Sequence, residues 1–201
     1  MGQKIVNPAI LVIDVQNDFY SDKGLLRKRG FDISEIQKTT PKIIRFLKQS
    51  RRLGIQVIFV KSYYDKTFLP ENVYNLYKIK HLENVCKSNS KGSQLYKIKP
   101  KLNEKVFIKH KYDAFTNPEL ERYLSKNNIK TIIFVGAQTD VCVDSTARSA
   151  FMKGYNIIAV EDCLASTDKD AHKKTLKYME KYYNAQIRFS KQPLRRLKCA
   201  V

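Results

Sequence analysis

The stretch Thr131-Ile-Ile-Phe-Val-Gly-Ala-Gln-Thr-Asp-Val-Cys142-Val-Asp-Ser-Thr-Ala-Arg-Ser-Ala150 changes character halfway along. Its first half is an apolar run with β-branched residues, the composition of a strand buried on both faces; its second half has apolar or small residues at helical spacing. Gly136 marks the turn between them, and Thr139 or Asp140 is placed to cap the helix that follows. Cys142 then falls in the first helical turn, among backbone N–H groups without intrahelical partners. That position favours a thiolate, because the positive end of a helix lowers a thiol pKa, and the same N–H groups can hold an oxyanion. The competing account is a buried cysteine that serves as a small hydrophobe, and Cys86, Cys163 and Cys199 fit it.

Working outward from this stretch, strands and helices alternate. Ala9-Ile-Leu-Val-Ile13 reads as a short strand ending on Asp14, and Val15 to Tyr20 as a polar loop that runs on through Gly24 and Gly30. Thr39 or Thr40 with Pro41 opens a helix whose apolar stripe is Ile43, Ile44, Phe46, Leu47 and Leu53, closed by Gly54. Gln56 to Val60 is a second strand. Residues 61–100 are rich in Tyr, Asn and Lys and read as a long excursion with one short helix, the kind of insertion that shapes a pocket. Lys105 to Ile108 gives a third strand ending on Lys109, and Pro118 to Ser125 a helix capped by Thr116 or Asn117. After the central stretch come a strand at Asn156 to Val160, a helix from Asp168 to Tyr183 and a last strand at Ala185 to Phe189. This alternation predicts the α/β class: a doubly wound, Rossmann-like, six-stranded and mostly parallel sheet flanked by helices on both faces.

With 201 residues, 43% of them hydrophobic, the chain suits one domain spanning 1–201. No apolar segment approaches the roughly 20 residues that span a bilayer, and Met1-Gly-Gln-Lys-Ile-Val-Asn lacks the apolar region of a signal peptide, so a cytoplasmic location without membrane partners is expected. Val6 occupies the position where a myristoylation signal needs Ser or Thr. The four cysteines show no paired CxxC or Cys/His spacing, and His81, His110 and His172 have no ligand spacing; no metal and no disulfide framework is implied. The formal charge of +19 raises a nucleic-acid hypothesis, but the lysines are scattered over nearly every segment and read as a solvated surface. The clusters to check are Arg27-Lys-Arg29 and the tail from Lys191 to Lys198.

In an open parallel sheet the ligand site lies outside the carboxyl ends of the strands, near the switch point. Asp14, Lys109 and Cys142 each fall just past such an end on a different strand, so the topology brings them together. A carboxylate beside a cysteine can take the thiol proton, an ammonium stabilises both anions, and the sulfur attacks an electrophilic carbon. Taken singly, Asp14 could cap a turn and Lys109 could be one more solvent lysine; a buried lysine at that place makes sense only when paired.

The motifs Ile10-Leu-Val-Ile-Asp14-Val-Gln-Asn-Asp-Phe19, Lys109-His-Lys-Tyr-Asp-Ala-Phe115, Gly136-Ala-Gln-Thr-Asp-Val-Cys142-Val, Thr146-Ala-Arg-Ser-Ala150, Gly154-Tyr and Glu161-Asp162 together resemble the isochorismatase-like cysteine hydrolases, a family that includes nicotinamidases, ureidoacrylate and biuret amidohydrolases and N-carbamoylsarcosine amidohydrolase. The resemblance implies Asp14 as base, Lys109 as its cationic partner and Cys142 as nucleophile, acting without a cofactor through a thioester. It implies a cis peptide between Ala137 and Gln138, oxyanion contacts from the N–H groups of Gln138 and Cys142, and Phe19 and Gln138 against the substrate. A small amide or ureide is the implied substrate, and a dimer or tetramer the implied assembly. Two departures matter. Where nicotinamidases carry an Asp-x-His-x-His style metal site, this chain reads Lys61-Ser-Tyr-Tyr-Asp-Lys-Thr67, and Asp113 stands where a serine is common, which bears on pocket polarity. The alternatives are an isochorismatase-type vinyl-ether hydrolase with Asp14 as acid, which the presence of Cys142 argues against, and, from another class, a basic nucleic-acid-binding protein.

Overall fold

The computed structural model describes residues 5–192. In chain order these form β1 (Pro8–Ile13), α1 (Asn17–Tyr20), α2 (Leu25–Lys28), α3 (Ser34–Arg52), β2 (Gln56–Ser62), α4 (Glu71–Ile79), β3 (Lys105–Lys109), α5 (Pro118–Lys126), β4 (Thr131–Ala137), α6 (Asp144–Met152), β5 (Asn156–Ala165), α7 (Lys169–Tyr183) and β6 (Gln186–Arg188). The strands make one sheet in the order β3-β2-β1-β4-β5-β6, and every neighbouring pair is parallel.

The two central strands, β1 and β4, are buried at every position, which is why their sequences are unbroken apolar runs. Their side chains alternate between two cores. Ile10, Val12, Ile133 and Val135 point to the face covered by Ile36, Ile43, Phe46 and Leu47 of α3. Ala9, Leu11, Ile132 and Phe134 point to the other face, covered by Leu120 and Leu124 of α5, Ala147 and Ala150 of α6, and Leu176 and Met179 of α7. From β1 the sheet grows outward through β2 and β3, then restarts on the opposite side with β4, so the switch point lies between β1 and β4. The strands close tightly there: a Cβ on Gly136 would sit 2.0 Å from the Ile13 carbonyl oxygen, and Gly136 has φ of +122°. Only glycine meets both conditions.

Several boundaries differ from the sequence expectation. Helix α3 starts at Ser34, with Pro41 inside it. Asp32 accepts the Ser34 N–H at 2.9 Å, and Ile33 and Ile36 extend the buried stripe one turn earlier, so sheet contact outweighs the loss of a donor for the Gln37 carbonyl. Ile44 and Leu53, expected in that stripe, are 41% and 37% exposed. Within the expected loop at 15–20 the chain forms α1. Strand β5 continues five residues past Val160, with a register shift between Phe134 and Gly136 that accommodates a bulge. The excursion after β2 contains one helix, α4, and is tied over the end of β1: Asn17 and Asp18 donate their N–H groups to the carbonyls of Gln94 and Gly92, and the Asp18 carboxylate accepts from Leu25 and Cys86 N–H. Asn117 and Asp168 cap α5 and α7. Arg27, Lys28 and Arg29 are exposed on and just after α2. The tail beyond Gln192, including Cys199, lies outside the described residues. Among the described residues no helix is long and apolar enough to cross a membrane.

Burial pushes the Cys163 thiol up to about 12 and raises the Cys86 thiol and Tyr20 phenol as well. Folded values above unfolded ones mean stability that is complete below the unfolded thiol range near 9 and lost as pH rises through the folded values. Thermal melts should therefore hold from pH 7 to about 8.5 and fall steadily above pH 9; a melting temperature flat to pH 11 would contradict this account.

Candidate active site

Asp14 follows the last residue of β1 with φ of 50°, a left-handed conformation that aspartate tolerates better than most side chains, and its N–H donates to the Val60 carbonyl at 3.0 Å. Lys109 ends β3, two strands away, and its side chain passes over the end of β2 to reach Asp14. The ammonium lies 2.8 Å from Asp14 Oδ2, and neither side chain has any exposure to solvent. Around the same Nζ stand Ser62 Oγ at 2.8 Å, Tyr64 Oη at 2.9 Å, the Lys111 carbonyl at 3.1 Å and Cys142 Sγ at 3.2 Å. Three N–H bonds serve five acceptors, so the ammonium's bonds are shared, and a change in one partner is felt by the rest.

Ser62, Tyr64 and Gln16 are site residues that the sequence reading did not single out. The Ser62 hydroxyl donates to Asp14 Oδ1 at 2.9 Å while accepting from Lys109. Gln16 locks Ser62 in place: its Nε2 donates to the carbonyls of Ser62 and Ser93, and its Oε1 accepts the Ser62 N–H at 2.7 Å. A signal for Ser62 was available, since it closes β2 as Lys109 closes β3, and the two are paired in register.

Cys142 sits in a π-helical turn, Thr139–Val143, inserted between β4 and α6 and preceded by a cis peptide at Ala137-Gln138. The expected cap does not form. Thr139 Oγ1 is 2.8 Å from His172 Nδ1, and Asp140 accepts the Ser166 hydroxyl, so both side chains are drawn toward the start of α7 instead. Thr146 donates to the Cys142 carbonyl at 2.7 Å and fixes the turn from below. The start of a helix favours a thiolate, but burial outweighs it and pushes the Cys142 thiol up to about 12, against the opposing pull of Lys109. Burial would lower the Lys109 value, but Asp14 and Cys142 beside it more than offset this and hold it above the ordinary lysine range. A carboxylate paired with an ammonium, beside a thiol, is neutral in sum. Moving the thiol proton to Asp14 keeps that sum at zero, and Asp14 Oδ2 accepts no other hydrogen bond among the described residues.

Cys142 opens onto a cavity of about 220 Å³ lined by Phe19, Tyr64, Tyr77, Tyr112 and Gln138 among others. A larger cavity of about 320 Å³, between Lys38 and Lys42 of α3 and His172 of α7, includes none of Asp14, Lys109 and Cys142. Size is a poorer guide here than chemistry. Asp113 does not line the thiol's cavity; it accepts from Phe115 N–H and from the Ser149 hydroxyl, bracing α6. His110 bonds the Tyr63 carbonyl through Nδ1 and stacks on Phe68, and His81 is exposed. Among the described residues no three His, Cys, Asp or Glu side chains are grouped to hold a metal ion.

Residues 8–190 match the family model described as the Isochorismatase domain. The ureidoacrylate amidohydrolase RutB of Yersinia enterocolitica is 30% identical over 184 residues, spanning 85% of this chain and 80% of that protein. The crystal structure of N-carbamoylsarcosine amidase from Thermoplasma acidophilum superposes with a TM-score of 0.76 at 26% identity, over 94% of this chain and 99% of the other. Nicotinamidase PncA from Bacillus subtilis superposes at 0.78 and 25%, over 91% and 99%.

Two outcomes are expected from this geometry. Lys109→Met leaves a buried carboxylate unpaired and should cost about 3–5 kcal/mol in urea unfolding, part of which Asp14→Asn in the same chain restores; additive losses would refute the coupling. The ultraviolet thiolate absorbance that disappears on Cys142→Ser should be absent at pH 7–9, where a thiol with a depressed pKa would already show it.

Proposed function

Since this chain belongs to the isochorismatase family, we propose that it is a cysteine hydrolase, built as one domain, that cleaves the C–N bond of a small amide or ureide. The observation that carries the reading is the cluster itself: a sulfur 3.2 Å from an ammonium that is 2.8 Å from a carboxylate, at the wall of a cavity. The names of the relatives, an amidohydrolase, an amidase and a nicotinamidase, support C–N cleavage.

In this reading Asp14 Oδ2 takes the thiol proton as Sγ bonds to the carbonyl carbon. The oxyanion meets the backbone N–H groups of Gln138 and Cys142, and Lys109 stays charged throughout. Collapse breaks the C–N bond, the proton on Asp14 goes to the leaving nitrogen, and ammonia or an amine departs, leaving a thioester. A water that gives its proton to Asp14 then attacks the thioester carbon, and the acid is released as the proton returns to sulfur. Phe19 and Gln138, which both line the cavity, would contact the substrate.

A vinyl-ether hydrolysis with Asp14 as acid is less well supported, because it gives no role to Cys142, whose Sγ stands 3.2 Å from the Lys109 ammonium. The two readings separate on one variant. Cys142→Ser should lower ammonia release from a panel of amides and ureides by at least roughly 10³-fold, while the protein keeps its fold by circular dichroism. Full activity in that variant, or isochorismate turnover insensitive to thiol alkylation, would sink the C–N hydrolase reading.

A further inference from the structure

Tyr64 stands just past the end of β2 with its ring walled in. It is 2% exposed, packs edge-on against Tyr77 at 5.4 Å between centroids, and lines the thiol's cavity. Its hydroxyl lies 2.9 Å from Lys109 Nζ and 3.5 Å from Cys142 Sγ, its two hydrogen-bond partners among the described residues. The chemistry of the three groups fixes the direction of each bond. An ammonium has no lone pair, so Lys109 donates and the Tyr64 oxygen accepts. A phenol carries one O–H, and with Lys109 on a lone pair of the oxygen that hydrogen is left for sulfur. Toward a neutral thiol the bond is weak in either direction. Toward a thiolate it runs only from oxygen to sulfur, and it is charge-assisted. Burial, with charge on Cys142 and on Asp14 adding to it, raises the Tyr64 phenol well above its ordinary range, so the hydroxyl keeps its hydrogen beside an anion.

Lys109 also approaches the sulfur, at 3.2 Å, but its three N–H bonds are divided among five acceptors. Tyr64 has one hydrogen and one acceptor left to take it. We infer that Tyr64 is a further catalytic residue, the undivided donor that holds the Cys142 sulfur while it is anionic. In the hydrolase reading above, on which this role rests, it acts twice. First the thiol proton passes to Asp14, the S–H electron pair stays on sulfur, and the Tyr64 hydrogen bond tightens until Sγ bonds to the carbonyl carbon. Later the C–S bond breaks after water has added to the thioester, its electron pair returns to sulfur, and the same hydrogen bond receives it before the proton comes back from Asp14. Tyr64 gives up no proton in either step. A bond that strengthens only when charge is on sulfur favours the passing anion over the resting thiol, so it raises rate and not affinity.

The test is the rate at which iodoacetamide alkylates Cys142 in the full-length chain at pH 8, followed by mass spectrometry on the peptide that carries it. At that pH the rate follows the small ionised fraction of the sulfur, whichever base holds the proton. Tyr64→Phe keeps the ring and leaves Lys109 four acceptors for its three N–H bonds. It should slow alkylation about three- to tenfold. A hydrogen bond to a charged group changes the thiolate population by roughly 10–100-fold, and the less stabilised thiolate is the better nucleophile, which returns about half of that on a logarithmic scale. The second variant carries 3-fluorotyrosine in place of Tyr64, a more acidic phenol of nearly the same shape that donates better and accepts worse. It should be alkylated faster than the wild-type chain; if the hydroxyl served only to seat Lys109, the poorer acceptor would slow the reaction instead. Should Tyr64→Phe lose its fold by circular dichroism, the fluorinated chain decides alone. Alkylation that Tyr64→Phe does not slow, or that 3-fluorotyrosine does not quicken, overturns the role of Tyr64 and leaves the hydrolase reading standing. Ammonia release that survives Cys142→Ser overturns the hydrolase reading itself, and both steps assigned to Tyr64 with it.

Discussion

The ion pair between Lys109 and Asp14 is the constraint on which the site depends. Two opposite charges with no solvent exposure cost several kcal/mol each to dehydrate, and their attraction offsets that only when the remaining donors and acceptors are met. Here they are met by groups from two strand ends. Ser62 closes β2, Tyr64 follows it, and the Lys111 carbonyl lies just beyond β3. Gln16 in turn anchors Ser62 through two hydrogen bonds and ties it to the Ser93 carbonyl through a third. The geometry of the carboxyl edge of the sheet is thus specified by electrostatics as much as by packing, and the Gly136 contact with Ile13 keeps the two central strands close enough for it.

The state of the sulfur follows from that pair. A cysteine near a helix start invites a thiolate by local reasoning, and Lys109 at 3.2 Å strengthens the invitation. Burial outweighs both, because ionising the thiol with Asp14 already charged would leave the cluster with an uncompensated negative charge in a dry site. Transfer of the proton to Asp14 carries no such cost. In the proposed reaction the nucleophile is therefore made on demand, when an electrophile occupies the cavity, and a buried site of zero net charge is kept throughout the cycle.

The fold was legible because its central elements obey simple rules. β1 and β4 are apolar without interruption, and alternation with helices forces a parallel sheet, which places Asp14, Lys109 and Cys142 along one edge. What escaped was set by tertiary contact. Pro41 looked like a helix start, but Ile33 and Ile36 gain a place against the sheet if the helix begins earlier. Thr139 and Asp140 looked like caps, but His172 and Ser166, distant in sequence, claim their side chains. Ser62 and Tyr64 carry no chemistry that marks them out singly; they matter because Lys109 crosses above them, and only the strand order reveals that crossing.

The 61–100 excursion then has two jobs that conflict unless it is fastened. It must supply the cavity wall through Tyr64 and Tyr77, yet it is a long surface segment with a single helix of nine residues. Asp18 resolves the conflict: buried, it accepts N–H bonds from Leu25 and from Cys86, while its own N–H reaches the Gly92 carbonyl. A Cβ on Gly92 would fall 2.1 Å from the Asp18 carboxylate, so any other residue there would have to displace that carboxylate from its hydrogen bonds. The wall facing the sulfur is in this way braced from the first turn after β1.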